Sequence, residues 1–276
     1  MNANQLQIIR DWVQTFADGF RDAAGELPWV VAEKLVHMQR VATNMRELAQ
    51  DLEWPAEQIH LAEALGWLHD TGRFIQYRDF GHFHDPTSAN HGFLGADAIA
   101  AAPWFAELEE TVRYTLETGV RFHNAKTIPP DVPADRLPQL KLIRDADKLD
   151  IFRVVAEGLE HDGFQDLISA WPGLAVNDTI NPALLQEIQS HRQGDYAHVR
   201  SLADFLLLVI SWIFALYYEP TRQRVYRDGM FATLARFLPQ NPATRPILDE
   251  ARHLLTHFDE AANVSPAAPS EQDIPC

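Results

Sequence analysis

Apolar residues recur at steps of three and four along most of this chain. The two-residue alternation of a half-buried strand is scarce, so the pattern predicts an all-α protein. A first helix is expected over Leu6 to Phe20. Pro28 opens a second, with Leu35, Met38, Val41, Met45, Leu48 and Leu52 on one stripe. Pro55 suits the first turn of a third, which runs to His69-Asp70 with Gly72 as its stop. Residues 73–90 read as a long polar connection carrying Gly81 and the run Asp85-Pro86-Thr87-Ser88. Further helices are expected over His91 to Ala101, Trp104 to Thr118 and, after a proline-rich connection from Thr127 to Pro138, Gln139 to about Glu160. Trp171 to Asn181 reads as loop. Helices resume at about Pro182 to Arg192, Leu202 to Tyr218, Thr221 to Phe237 and Pro246 to Glu260. Asn263 to Cys276 has little apolar content and is expected to be disordered. The expected organisation is one helical domain over 1–262, with a core at about 28–160, a C-terminal helical extension at about 165–262 and a tail at 263–276.

Composition adds bounds. A chain of 276 residues, 46% hydrophobic and 22% charged, is an ordinary globular protein able to bury a large core. A net charge of -16 argues against a nucleic-acid polymer as partner, while leaving room for a small phosphate held by a metal and a few local cations. The one cysteine, Cys276, permits no intrachain disulfide. No basic stretch followed by an apolar one opens the chain, and the longest apolar run, the 14 residues from Phe205 to Tyr218, is too short to span a bilayer. A cytoplasmic protein without a membrane partner is expected.

The candidate chemistry lies where ionisable residues interrupt apolar faces. His69 and Asp70 end the largely apolar run Ala62 to Leu68. His37 shares its stripe with Val41 and Met45, and His69 follows Leu65 by four. Asp147 follows Ile143 by four and precedes Ile151 by four. Burying a carboxylate among apolar side chains is unfavourable without compensation, and a divalent metal ion is the simplest cation that also takes imidazoles. Taken singly, each histidine fits a hydrogen-bonded core residue. The joint pattern, with His91 and His123 downstream, points to ligands converging from several helices. Asp145 and Asp150 are expected to flank the helix surface, and His82 and His84 to be solvated. His253 and His257 have ligand-like spacing but no local third ligand, and read as a solvent-facing coincidence.

The order His37, His69-Asp70, Asp147 resembles the signature of the HD superfamily of metal-dependent phosphohydrolases. The segments Leu68-His69-Asp70-Thr71-Gly72-Arg73-Phe74 and Asp145-Ala146-Asp147-Lys148-Leu149-Asp150 resemble two of that family's motifs. Asp85 to Gly92 and His123-Asn124 resemble intermediate ones, so that the likeness covers roughly residues 30–160. The resemblance implies an HD-domain helical bundle with additional C-terminal helices. It implies His37, His69, Asp70 and Asp147 as metal ligands, and His91 and His123 either as ligands of a second ion or as walls of the substrate pocket. It places Lys148 against phosphate oxygens; Arg73 is either a second such cation or a salt bridge at the helix end. The imidazole-rich set suits Mn, Fe, Co, Ni or Zn better than Mg, as one ion or two. The expected activity is hydrolysis of a phosphate ester or anhydride, of a nucleotide or another small phosphorylated molecule, with Asp70, Lys148 and Arg73 serving the chemistry. A diiron oxygenase of the same fold and a non-catalytic, metal-stabilised regulatory module are the alternatives.

Overall fold

The computed structural model describes residues 1–161 and 174–257. The protein is all-α: among the described residues there are no β-strands, only an isolated parallel bridge between Ala175 and Ser201. No described helix is long and apolar enough to cross a membrane. The chain divides into two compact units, with described residues 1–147 in the first and the described part of 148–263 in the second. The tail at 263–276, expected to be disordered, lies outside the described residues.

The first unit contains α1 (Ala3–Asp18), α2 (Trp29–Asp51), α3 (Ala56–Leu68), α4 (Thr71–Phe80), α5 (His91–Ala100), α6 (Glu110–Phe122) and the start of α7 (Leu137–His161). Helix α2 packs on α3, α3 also meets α1 and α6, and α5 lies between α4 and α6. Small residues allow the closest approaches. A Cβ on Gly66 of α3 would stand 2.5 Å from the Cα of Ala42 in α2. A Cβ on Gly72 would overlap the carbonyl of His91 and meet the Gly95 amide nitrogen at 2.6 Å, so α4 and α5 touch backbone to backbone.

Helix α4 departs from the expectation. Residues 73–90 are not all connection, and Gly72 does not end a helix: the chain breaks at His69-Asp70 and restarts at Thr71. The Thr71 hydroxyl donates to Leu68 O at 2.9 Å, and the Arg73 amide to Asp70 O at 2.9 Å. The polar sequence hides an inner face, because Phe74 is fully buried and packs its ring on those of Phe16 and Phe20, at 6.1 and 5.6 Å between centroids. The helix expected at Trp104 to Thr118 is instead a 3-10 turn, Pro103–Glu107, followed by α6; this turn buries Trp104, Phe105 and Leu108 together. Asp145 and Asp150 are buried rather than flanking the surface, and the Arg153 guanidinium donates to Asp150 at 2.8 Å.

In the second unit the helices are Pro182–His191, Leu202–Ser211, Glu219–Arg227, Met230–Phe237 and Arg245–Thr256. The helix expected from Leu202 to Tyr218 ends at Ser211 in a 3-10 turn, and Pro220 sits in the first turn of a new one. The segment expected as one helix from Thr221 to Phe237 breaks at Gly229, whose φ of 75° is left-handed.

Candidate metal centre

Five helices deliver the candidate ligands. His37 faces inward from α2. His69 and Asp70 occupy the break between α3 and α4, where helical polarity ends and both side chains turn into the unit. His91 is the first residue of α5, whose N-terminus is capped by the Asn90 side chain. His123 directly follows α6, and Asp147 projects from α7. The Arg144 guanidinium, one turn before Asp147, donates to the carbonyls of Phe122, His123 and Ala125 and so ties the end of α6 to α7.

Local hydrogen bonds fix which ring nitrogens face inward. His69 Nδ1 donates to Gly66 O and His123 Nδ1 to Val120 O, both at 2.8 Å. His91 Nδ1 donates to Asp85 Oδ2 at 2.8 Å. Carbonyls and ionised carboxylates only accept, so each neutral ring keeps a lone pair on Nε2. Those of His91 and His123 stand 3.1 Å apart and lie 3.3 and 3.6 Å from Asp70 Oδ1. On the other side, Nε2 of His37 and of His69 each lie 3.7 Å from Asp70 Oδ2. They reach Asp147 Oδ1 at 3.1 and 3.9 Å.

This arrangement fits metal ions. Two lone pairs facing each other at 3.1 Å repel, and among the described residues the buried Nε2 of His69 makes no hydrogen bond. A cation among them relieves both penalties. Imidazole nitrogens bind such ions at roughly 2.0–2.1 Å, so two on one ion lie within about 4 Å of each other, as those of His91 and His123 do at 3.1 Å. The six side chains form overlapping groups, His37-His69-Asp70, His69-His123-Asp147 and Asp70-His91-His123, whose ligand atoms within each group lie within 4.8 Å of one another.

Residues 35–151 match the family described as HD domain. Over these residues the chain is similar to an HD domain. The six converging side chains all fall within the matched residues. No curated protein and no solved structure matched the chain.

The electrostatics of the site keep the candidate ligands in forms able to bind a metal ion. Burial lowers His69 and His91 to about 4, so both imidazoles are neutral at physiological pH. Burial alone would raise Asp70, but Lys34 and then the surrounding imidazoles hold it well below the usual carboxylate range. Asp147 is likewise lowered against the effect of burial, chiefly by its hydrogen bond with His37. Asp85 falls to about 2, because His91, Arg73 and Gln76 outweigh the cost of its partial burial.

Four further polar residues enter the site. Lys34 Nζ donates to Asp70 Oδ2 at 2.9 Å; its position three residues before His37, on one helix face, was the available signal. Asp85 accepts from His91, Arg73, Gln76 and Asn124. Asn124 also donates to the capping Asn90 at 3.0 Å. No periodicity marks Asp85, which opens the short 3-10 turn Asp85–Thr87. Arg73 is occupied in the same network: Nη1 donates to Phe83 O, Gln76 Oε1 and Asp85 Oδ1 at 2.7, 2.8 and 3.0 Å, and Nε stands 3.7 Å from Asp70 Oδ1. Lys148 follows Asp147 on α7 and is half-buried. His84 Nδ1 pairs with the Thr87 hydroxyl in the exposed connection, and His253 and His257 stack on each other at 4.2 Å between ring centroids.

Proposed function

We propose that this HD domain is a phosphohydrolase using two divalent transition-metal ions and acting on a small phosphate ester or anhydride. One observation carries the reading. The two oxygens of Asp70 each face a separate pair of imidazoles, His37 and His69 at Oδ2, His91 and His123 at Oδ1. The four imidazoles with Asp70 and Asp147 would hold two such ions, Asp147 standing beside His37 and His69. When bound, such ions lower the pKa of water and withdraw charge from a phosphoryl oxygen.

The chain's own residues supply the rest. Asp70 and Asp147, both held ionised, accept hydrogen bonds from a water molecule and orient it for attack at phosphorus. Lys34, a cation beside Asp70, would serve the substrate's phosphoryl oxygens. Arg73, already engaged with Asp85 and Phe83, holds the 81–90 connection in place rather than reaching substrate. The P–O bond to the leaving group breaks as the water oxygen bonds to phosphorus.

The test is to load metal-free protein with Mn²⁺ and screen nucleotides and phosphoesters beside an Asp70→Ala control. Turnover confined to the wild type supports the reading. Equal rates in both across a broad panel refute it, and oxygen consumption by the iron-loaded protein without phosphoester turnover replaces it with an oxygenase.

A further inference from the structure

We infer that Asp85 is the positioning residue of the second metal position: it fixes His91 so that Nε2 joins His123 and Asp70 Oδ1. Without it that position loses its ion while the His37–His69–Asp147 position keeps its own. The inference rests on the two-ion reading above.

The reason lies in where each imidazole sits on its helix. His69 and His123 both follow the C-terminal end of a helix. The Nδ1 of each donates to a carbonyl three residues back, Gly66 O and Val120 O, so these rings are oriented by their own helices. His91 is at the opposite end. It opens α5, where the helix presents N–H groups rather than carbonyls. Its Nδ1 therefore needs an acceptor from elsewhere in the chain, and the connection before α5 supplies one in Asp85, at 2.8 Å from Oδ2 and 3.0 Å from Oδ1. A carboxylate at this point also offsets the positive end of the helix dipole, which disfavours a cation bound to His91.

Asp85 is itself held from three sides. Arg73 Nη1 and Gln76 Nε2 donate to Oδ1 at 3.0 and 2.8 Å, and Asn124 Nδ2 to Oδ2 at 3.1 Å. Asn124 is the neighbour of His123, so one carboxylate links the supports of both imidazoles at this position. The side chains of the first position have other partners: His69 Nδ1 donates to Gly66 O, and His37 faces Asp147.

The experiment titrates Mn²⁺ into metal-free wild type, Asp85→Asn, Asp85→Ala and Gln76→Ala, counting bound ions by calorimetry and by the electron paramagnetic resonance of free and paired Mn²⁺. Outer partners of ligating imidazoles are worth about 10- to 100-fold in metal affinity. Wild type is expected to bind two ions. Both Asp85 variants are expected to keep the tighter ion within about twofold, weaken the second by 10- to 100-fold and lose the paired-ion signal. Asp85→Asn preserves shape and carries the test if Asp85→Ala does not fold. Gln76→Ala removes one of the three donors to Asp85 together with its bonds to Ser88 and Ala89, leaves the Asp85 carboxylate itself beside His91, and is expected to weaken the second ion by less than either Asp85 variant. Undiminished second-ion binding in the Asp85 variants, or an equal loss in Gln76→Ala, overturns the role of Asp85 alone. A wild type that binds one ion overturns the two-ion reading and the inference with it.

Discussion

Replacing Gly72 with alanine tests how the backbone contact between α4 and α5 sets the metal centre. The added methyl overlaps the His91 carbonyl oxygen and meets Gly95 N at 2.6 Å and His91 C at 2.9 Å. All three are backbone atoms in the first turns of α5, so no rotamer change relieves the clash. Restoring ordinary contact separates the two helices by about 1 Å. Overpacking of this kind costs roughly 2–3 kcal/mol, which for a chain of this size lowers Tm by roughly 4–12 °C. The same displacement moves His91, the first residue of α5, away from Asp70, two positions before Gly72, and spoils the 3.3 Å relation of His91 Nε2 to Asp70 Oδ1. Calorimetric melting of the metal-free protein reads the first effect, and Mn²⁺ titration reads the second as selective weakening of the ion held by His91 and His123. Gly158→Ala is the control. It makes the same chemical change on α7, where no atom of the described residues lies within 4 Å of the new methyl, and raises stability by up to about 1 kcal/mol. A Gly72→Ala protein with wild-type melting and wild-type ion binding would falsify the argument that this contact positions the centre.

Two further outcomes are expected. His69 and His91 titrate near 4 in the folded protein, against about 6.5 when unfolded. The unfolded chain takes up protons first as pH falls. Metal-free stability, complete above about pH 6.5, therefore declines towards pH 4 by up to roughly 3 kcal/mol per imidazole; chemical denaturation across that range showing no slope contradicts the burial argument. Lys34→Met removes the cation beside Asp70 and lowers the melting temperature of the metal-free protein more than that of the Mn²⁺-loaded one. If Lys34 meets substrate phosphate, the variant raises KM about tenfold with a smaller change in kcat; an unchanged KM removes that role.

The helical character of the chain, the inward placement of His37 and His69 and the set of candidate ligands were legible in the sequence, because helical period and sequence motifs are both local signals. They mark which residues face inward and in what order the ligands come. Helix boundaries were less legible. The polar run after Gly72 concealed α4, since one buried phenylalanine and a buried glutamine suffice to give it an inner face. The aspartates at 145 and 150 looked solvated because a buried carboxylate with partners is indistinguishable, by spacing, from an exposed one. Tertiary structure alone decided how Asp70 divides its two oxygens between imidazole pairs, and that Lys34 and Asp85 belong to the centre. Those relations join residues from separate helices and an irregular connection. They depend on backbone approaches at Gly66 and Gly72 that no periodicity encodes.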